Sequence, residues 1–287
     1  MSGRLGRIGL RIATALTLLF LYVPIAIIAV YAFNDSRNQS WGNLVDSIAG
    51  NGLGAFSFRW FEAALENRQV RESFLTSVEA ALGATVVALI LGTAAAFAVH
   101  RYRFFGRDGI SFALVLPIAL PGIVTAMALN SAMNTAIDGF DIGPFHITGP
   151  EFGLTTIIIG HATFCVVVVY NNVIARLRRV GRSLEEASMD LGADTWQTFR
   201  RITLPALATA LFAGALLAFA LSFDEIIVTT FTAGTEETLP KWIFANFRLP
   251  NQRPIVNVVA LVMITLSMIP VYISAKLAGA ESVASAR

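Results

Sequence analysis

Six stretches free of Asp, Glu, Lys and Arg limit what this chain can fold into: Ile12 to Phe33, Ala80 to Val99, Ile110 to Met133, Leu154 to Ile174, Leu204 to Phe223 and Ile255 to Ala275. Each reaches about 20 residues, enough at helical rise to cross a hydrocarbon core while satisfying its own backbone hydrogen bonds. With 55% hydrophobic and 14% charged residues, against about 25% charged in soluble domains, a water-soluble globule is excluded. The chain reads as an all-α integral membrane protein with six transmembrane helices.

The basic residues set the orientation. Fourteen of the twenty-one Lys and Arg fall on one side: Arg4, Arg7 and Arg11; Arg101, Arg103 and Arg107; Arg176, Arg178, Arg179, Arg182, Arg200 and Arg201; Lys276 and Arg287. The positive-inside rule then puts both termini in the cytoplasm, as six crossings require. The first apolar run follows three arginines but exceeds the length of a signal-peptide core, so it reads as an uncleaved helix. A formal net charge of +2 is too small to point to nucleic acid.

The expected layout is a cytoplasmic N-terminus over 1–11, a first helix over 12–33 and an outer loop over 34–73. A five-helix core follows over 74–276, with its longest inner loop at 176–203, and a cytoplasmic tail over 277–287. In the outer loop, Ser57 to Leu65 has the pattern of a short amphipathic helix at the headgroup level. Asn34-Asp35-Ser36 and Asn38-Gln39-Ser40 match the glycosylation triplet, which arises often by chance. The loop from Asn134 to Gly153, rich in Gly, Asp and Pro, is expected to be irregular.

Familiar catalytic patterns are absent from the sequence. The lysines, Lys241 and Lys276, follow Pro240 and Ala275, so there is no Gly-Lys-Ser/Thr phosphate loop. His100, His146 and His161 lack metal-ligand spacing, and Cys165 has no partner for a disulfide. No cofactor and no metal is expected, and Cys165 reads as a packing residue.

The inner loop carries the informative grammar. Ser183-Leu184-Glu185-Glu186 has the form of a capping box, with Glu186 reaching back to the Ser183 amide, and Gly192 suits a left-handed helix stop. Asp194-Thr195-Trp196-Gln197 repeats the capping logic, and Pro205 fits the first turn of the fifth crossing. A helix of two turns is marginal alone in water. On these features alone a solvated basic loop accounts for the segment more simply than a docking surface does.

Glu186-Ala187-Ser188-Met189-Asp190-Leu191-Gly192, then nine residues, then Ile202-Thr203-Leu204-Pro205, resembles the EAA loop of membrane subunits of bacterial binding-protein-dependent ABC importers. Ser188 stands where that family usually has a second alanine. The resemblance implies a type I importer permease (MetI-like) fold in the bacterial inner membrane. It also implies a coupling helix, with Glu186, Ala187, Asp190, Leu191 and Gly192 as ATPase-coupling residues. The partners it implies are two ATP-binding subunits, a sister permease and a periplasmic binding protein, with ATP hydrolysed by another chain. Ser222-Phe223-Asp224-Glu225-Ile226-Ile227-Val228 with Leu239-Pro240, and the stretch Leu116 to Leu129, resemble the second permease of spermidine/putrescine importers. Thr76-Ser77 departs from that subfamily's Asn-Ser.

Ionisable groups near membrane segments usually face a cavity or a partner, so Asp224, Glu225 and Glu79 are the candidates for the substrate pathway. A hydrated helix end accounts for Asp224 equally well. Adjacent helical residues diverge by about 100°, and of the acidic pair Asp224 is favoured to face the path. His161, Tyr170, Asn171 and Asn172 read first as inter-helix packing. Pro117 and Pro121 are expected to bend the third helix, and Gly83, Gly92 and Gly122 to allow close contacts. Other solutes of the same importer family (ferric iron, thiamine, amino-acid derivatives) and an ion-coupled secondary transporter remain as alternatives.

Overall fold

The computed structural model describes residues 2–35, 57–142, 145–181 and 183–284. The Asn38 triplet, part of the Asn34 triplet, Arg182 and Arg287 lie outside them. The helices are α1 (Ser2–Ala32), α2 (Arg59–Glu66), α3 (Arg68–Arg101), α4 (Arg107–Ala119), α5 (Gly122–Asp138), α6 (Leu154–Leu177), α7 (Ser183–Asp190), α8 (Thr195–Thr198), α9 (Leu204–Phe223), α10 (Ile227–Thr232), α11 (Leu239–Asn246) and α12 (Arg253–Ala284).

Among the described residues five helical segments are long and apolar enough to cross a membrane: Gly6–Ala32, Arg68–Arg101, Leu154–Leu177, Thr195–Phe223 and Arg253–Leu277. The third expected crossing departs from a single rod. It forms two helices, Gly109–Ala119 and Gly122–Asp138, bent by 107°. Pro121 explains the break, because its ring excludes the helical region at the preceding residue, and Leu120 is extended at φ −82°, ψ 149°. Pro117 stays inside α4.

The loop expected to be irregular contains a two-stranded antiparallel ribbon, β1 (Phe140–Ile142) with β2 (Phe145–Ile147), in which Phe140 pairs with Ile147. Its alternating Phe-Asp-Ile and Phe-His-Ile sequences flank Gly143-Pro144, a hairpin signal hidden by the loop's turn-rich composition.

The chain divides into two compact units. One comprises Met1–Arg71 and Trp242–Thr265. In it, the Trp60 indole Nε1–H donates to the Asn34 carbonyl at 2.9 Å, and the Ser57 amide donates to the Phe33 carbonyl at 2.9 Å. The rings of Phe33 and Phe61 lie 5.0 Å apart, and those of Phe58 and Phe61 5.7 Å. The expected amphipathic helix is therefore α2, stapled by Trp60 and these rings to the end of α1.

The other unit comprises Glu72–Lys241 and Leu266–Arg287, and its core is built where α3, α6 and α9 approach closely. A Cβ on Gly92 would lie 2.8 Å from the Val166 carbonyl oxygen, and one on Gly83 would lie 2.6 Å from Ile158 Cδ1. Gly122 is different: its nearest neighbour, Ile227 Cδ1, is at 3.7 Å, so its value lies elsewhere than close contact. Gly160, not singled out from sequence, brings α6 against α10, where a Cβ would meet Val228 Cγ1 at 2.8 Å. Small residues give lipid-embedded helices the close van der Waals contact that the hydrophobic effect cannot supply there.

Polar side chains then pin the helices. His161 is buried and bonds Ser222 Oγ through Nδ1 at 2.7 Å and Thr229 Oγ1 through Nε2 at 2.8 Å. Tyr170 shares a hydrogen bond with Ser111 at 3.2 Å, and the Asn130 amide donates to the Phe231 carbonyl at 2.6 Å. Buried Cys165 donates to the Ala218 carbonyl at 3.4 Å, which is a packing role.

Candidate functional site

α7 is an eight-residue helix that buries none of its residues. It starts at Ser183, so the serine proposed as its cap is the first helical residue. The helix ends in a Schellman motif: the Gly192 amide donates to Met189 O at 2.9 Å and the Ala193 amide to Ser188 O at 3.1 Å. Gly192 sits at φ +87°, where a Cβ would be strained. The second predicted cap forms too, with the Gln197 amide donating to Asp194 Oδ1 at 2.8 Å.

From Thr195 the chain does not restart as a separate short helix. Thr195–Phe223 runs as one helical segment of 29 residues, passing through a π turn at Phe199–Thr203, with Pro205 in the first turn of α9. The loop element and the fifth crossing are mechanically continuous.

What α7 shows to water is unusual for a polar loop. Leu184, Met189, Leu191 and, just beyond it, Trp196 are all exposed, Leu191 at 90%. Glu186, Ala187 and Asp190 are exposed beside them. Exposed large apolar side chains rimmed by charge are a feature of surfaces that contact another protein or a membrane. Ser188, the departure from the family pattern, is half-buried and shares a hydrogen bond with Thr198 at 3.2 Å, which ties α7 to α8.

The acid that works inside this element is one that sequence reasoning passed over. Glu185 pairs with Arg101 at the end of α3 and accepts from Thr203 Oγ1 at 2.7 Å. The pairing of adjacent acids in Glu185-Glu186 was visible, but only the helix phase reveals that Glu185 turns inward and Glu186 outward.

At the other end of α9, the three candidate acids have separate positions. Asp224 forms the C-terminal cap residue of α9 at φ −101°, ψ 8° and is exposed. Its carboxyl pKa is raised by loss of hydration; its own backbone amide opposes the rise and the neighbouring Glu225 charge adds to it. Glu225 spends an oxygen on structure: Oε1 accepts from the Ile227 amide at 2.8 Å and the Val228 amide at 3.0 Å, capping α10. Glu79 is exposed on α3. Two residues earlier, Ser77 Oγ accepts from the Leu239 amide at 2.8 Å, so Glu79 points roughly 200° away from that contact.

Asn171 and Asn172 line a cavity of about 210 Å³ with Arg176, Arg179 and Thr209. The two guanidinium groups make this cavity hostile to a cation. Asn172 itself donates to the Val168 carbonyl at 2.8 Å. Among the described residues no group of His, Cys, Asp and Glu has the arrangement of a metal site.

A helical core with several membrane-length spans, a broken third span and an exposed short helix on a basic loop are the features of a multi-pass membrane permease. The family model described as binding-protein-dependent transport system inner membrane component matches residues 84–279, and the chain belongs to this family. A putrescine transport system permease protein of Escherichia coli (strain K12) is 34% identical over 245 residues, covering 84% of this chain and 80% of that protein. A spermidine/putrescine transport system permease protein of Haemophilus influenzae is 32% identical, with 89% and 90% covered. Its Escherichia coli (strain K12) counterpart is 30% identical, with 96% and 94% covered. A chain of a bacterial ABC transporter involved in the import of the acidic polysaccharide alginate superposes with a TM-score of 0.62 at 18% identity, covering 97% of each chain. A second structure of the alginate transporter, in complex with an alginate pentasaccharide-bound periplasmic protein, gives 0.67 at 14% identity, with 94% and 92% covered.

The chain is thus a permease subunit of an ABC importer, a transport component and not an enzyme. The alternative of an ion-coupled secondary transporter falls with that membership.

Proposed function

We propose that this subunit forms half of the inner-membrane pathway of a polyamine importer, with both termini in the cytoplasm. Two ATP-binding subunits drive it, a sister permease completes the pathway, and a periplasmic binding protein delivers the solute. The observation that carries the coupling half of this reading is α7. It is too short to persist alone and has no fully buried residue, yet it presents Leu184 and Met189 and, just past its end, Leu191 to water. Glu186, Ala187, Asp190, Leu191 and Gly192 are the docking contacts in this reading, and a cleft in the ATPase subunit covers the apolar side chains.

The polyamine half draws on the relatives, whose names carry putrescine and spermidine. It also draws on the acidic end of α9, where an exposed carboxylate attracts an ammonium group more strongly as its surroundings dry out. Asp224 is the first candidate there. Glu225 serves the path through the backbone it caps, and Glu79 acts at the outer rim.

The test is uptake by the complete importer in proteoliposomes with its binding protein. ATP-dependent entry of putrescine or spermidine, with ferric iron and thiamine excluded, supports the reading. Entry of another solute alone keeps the importer and discards the polyamine.

A further inference from the structure

We propose that the π turn Phe199–Thr203 is the joint through which the coupling helix moves the membrane helices, and that Glu185 and Arg101 are the positioning pair that holds it. The proposal rests on the importer reading above.

The joint is a closed circuit of side chains. Phe199, the first residue of the π turn, packs edge-to-face on Phe97 of α3 with ring centroids 5.6 Å apart. The Arg101 guanidinium lies over the same Phe97 ring, 5.7 Å from its centroid. Arg101 pairs with Glu185, and Glu185 Oε1 accepts from Thr203, the last residue of the π turn, at 2.7 Å. The circuit therefore grips both ends of the π turn, and its two bridges to α3 are one apolar and one ionic.

A π turn is wider than an α turn, rare, and concentrated at functional positions in helices. Here its last residue, Thr203, is 2% exposed, and the hydroxyl's acceptor is Glu185. The turn sits between α8 and α9, where a rotation of the loop element becomes a rotation of the fifth crossing.

α7 is attached to the rest of this unit by few polar contacts. Glu185 reaches α3 and the π turn, and Ser188 reaches Thr198 at 3.2 Å. A force applied by a partner to the exposed face of α7 passes through the Glu185 carboxylate to two membrane helices at once. Glu185 and Arg101 are largely enclosed, with side chains 15% and 31% exposed, whereas Glu186 next door is open to a partner. Docking and transmission are thereby assigned to adjacent residues whose side chains diverge by about 100° on one short helix.

The experiment uses the complete importer in proteoliposomes with its binding protein, comparing wild type, Glu185→Gln, Arg101→Glu, the exchange Arg101→Glu/Glu185→Arg, and Thr203→Val. Two quantities are read: ATPase subunits retained per permease, and ATP hydrolysed per solute imported. Glu185→Gln keeps an acceptor for Thr203 and loses the charge, so it isolates the ion pair. Each single variant is expected to retain the ATPase subunits and to raise ATP consumed per solute by about tenfold, inside the usual range of coupling between sites. The exchange restores the ion pair but leaves Thr203 without its acceptor, since a guanidinium only donates, so it is expected to recover coupling to the level of Thr203→Val and no further. Loss of the ATPase subunits in Glu185→Gln would make Glu185 a docking contact and overturn the proposal, as would an unchanged ATP-to-solute ratio in all three single variants. Wild type without ATP-dependent uptake would overturn the importer reading and this proposal with it, which separates the two failures.

Discussion

Gly92 crosses Val166 so closely that a β-carbon there would stand 2.8 Å from the Val166 carbonyl oxygen. The neighbour is backbone and cannot swing aside. Gly92→Ala is expected to destabilise the folded subunit by about 1–3 kcal/mol through overpacking. Gly109→Ala, with nothing within 4 Å, is expected to stabilise by about 0.5–1 kcal/mol through its lower unfolded-state entropy. Thermal unfolding in detergent decides it, and equal signs at the two sites would contradict the close crossing.

His161 joins α6 to Ser222 of α9 and Thr229 of α10. Replacing it by leucine leaves the buried Ser222 hydroxyl without this partner, at a cost of about 1–3 kcal/mol. In a double-mutant cycle, Ser222→Ala added to His161→Leu is expected to cost less than the sum of the two single changes. Strict additivity would mean that the bond carries no coupling energy.

The docking surface predicts a separation between assembly and folding. Glu186→Lys and Leu191→Glu are expected to release the ATPase subunits during purification while thermal unfolding of the permease stays within about 0.5 kcal/mol of wild type, as for exposed positions. Gly192→Ala acts through the backbone instead: at φ +87° the added methyl group costs about 1–2 kcal/mol, loosening α7 and weakening the same association. Retention of the ATPase subunits by both charge variants would remove α7 as the contact.

Asp224 and Glu225 differ in what they should do to uptake. Asp224→Asn is expected to raise the KM for a polyamine about tenfold, equivalent to one lost charge contact of about 1.4 kcal/mol. Glu225→Gln keeps the oxygen that caps α10 and is expected to change KM little. The Asp224 carboxyl pKa is raised from its ordinary value, first by loss of hydration and then by the Glu225 charge, against the pull of its own backbone amide. Its attraction for a cation is therefore complete at pH values above that raised pKa and fades as pH falls through it. An acid limb in the uptake profile that is absent from Asp224→Asn supports the assignment; the same limb in both proteins refutes it.

The local sequence carried a great deal. The spans could be read from the absence of charge, because lipid leaves no alternative to satisfied helical backbone. The break at Leu120–Pro121 follows from proline sterics, and the stop at Gly192 follows from the need for positive φ. Gly83 and Gly92 were legible as close-contact sites because small residues are how membrane helices approach. Contacts made across the fold were not legible. Nothing in Ser183-Leu184-Glu185-Glu186 says that Glu185 meets Arg101, 84 positions away, or that Glu225 closes a helix cap. Gly122 resembled the other glycines until its neighbours were known.

What the chain settled alone was therefore its solvent and its local stops and caps, since both depend on hydrophobicity and on the conformational limits of single residues. Tertiary structure decided which of two adjacent acids faces inward, which glycines touch a neighbour, and how a short loop helix is tied to two membrane helices. Those outcomes depend on helix phase and on partners remote in sequence, and residue order fixes them only after the helices have packed.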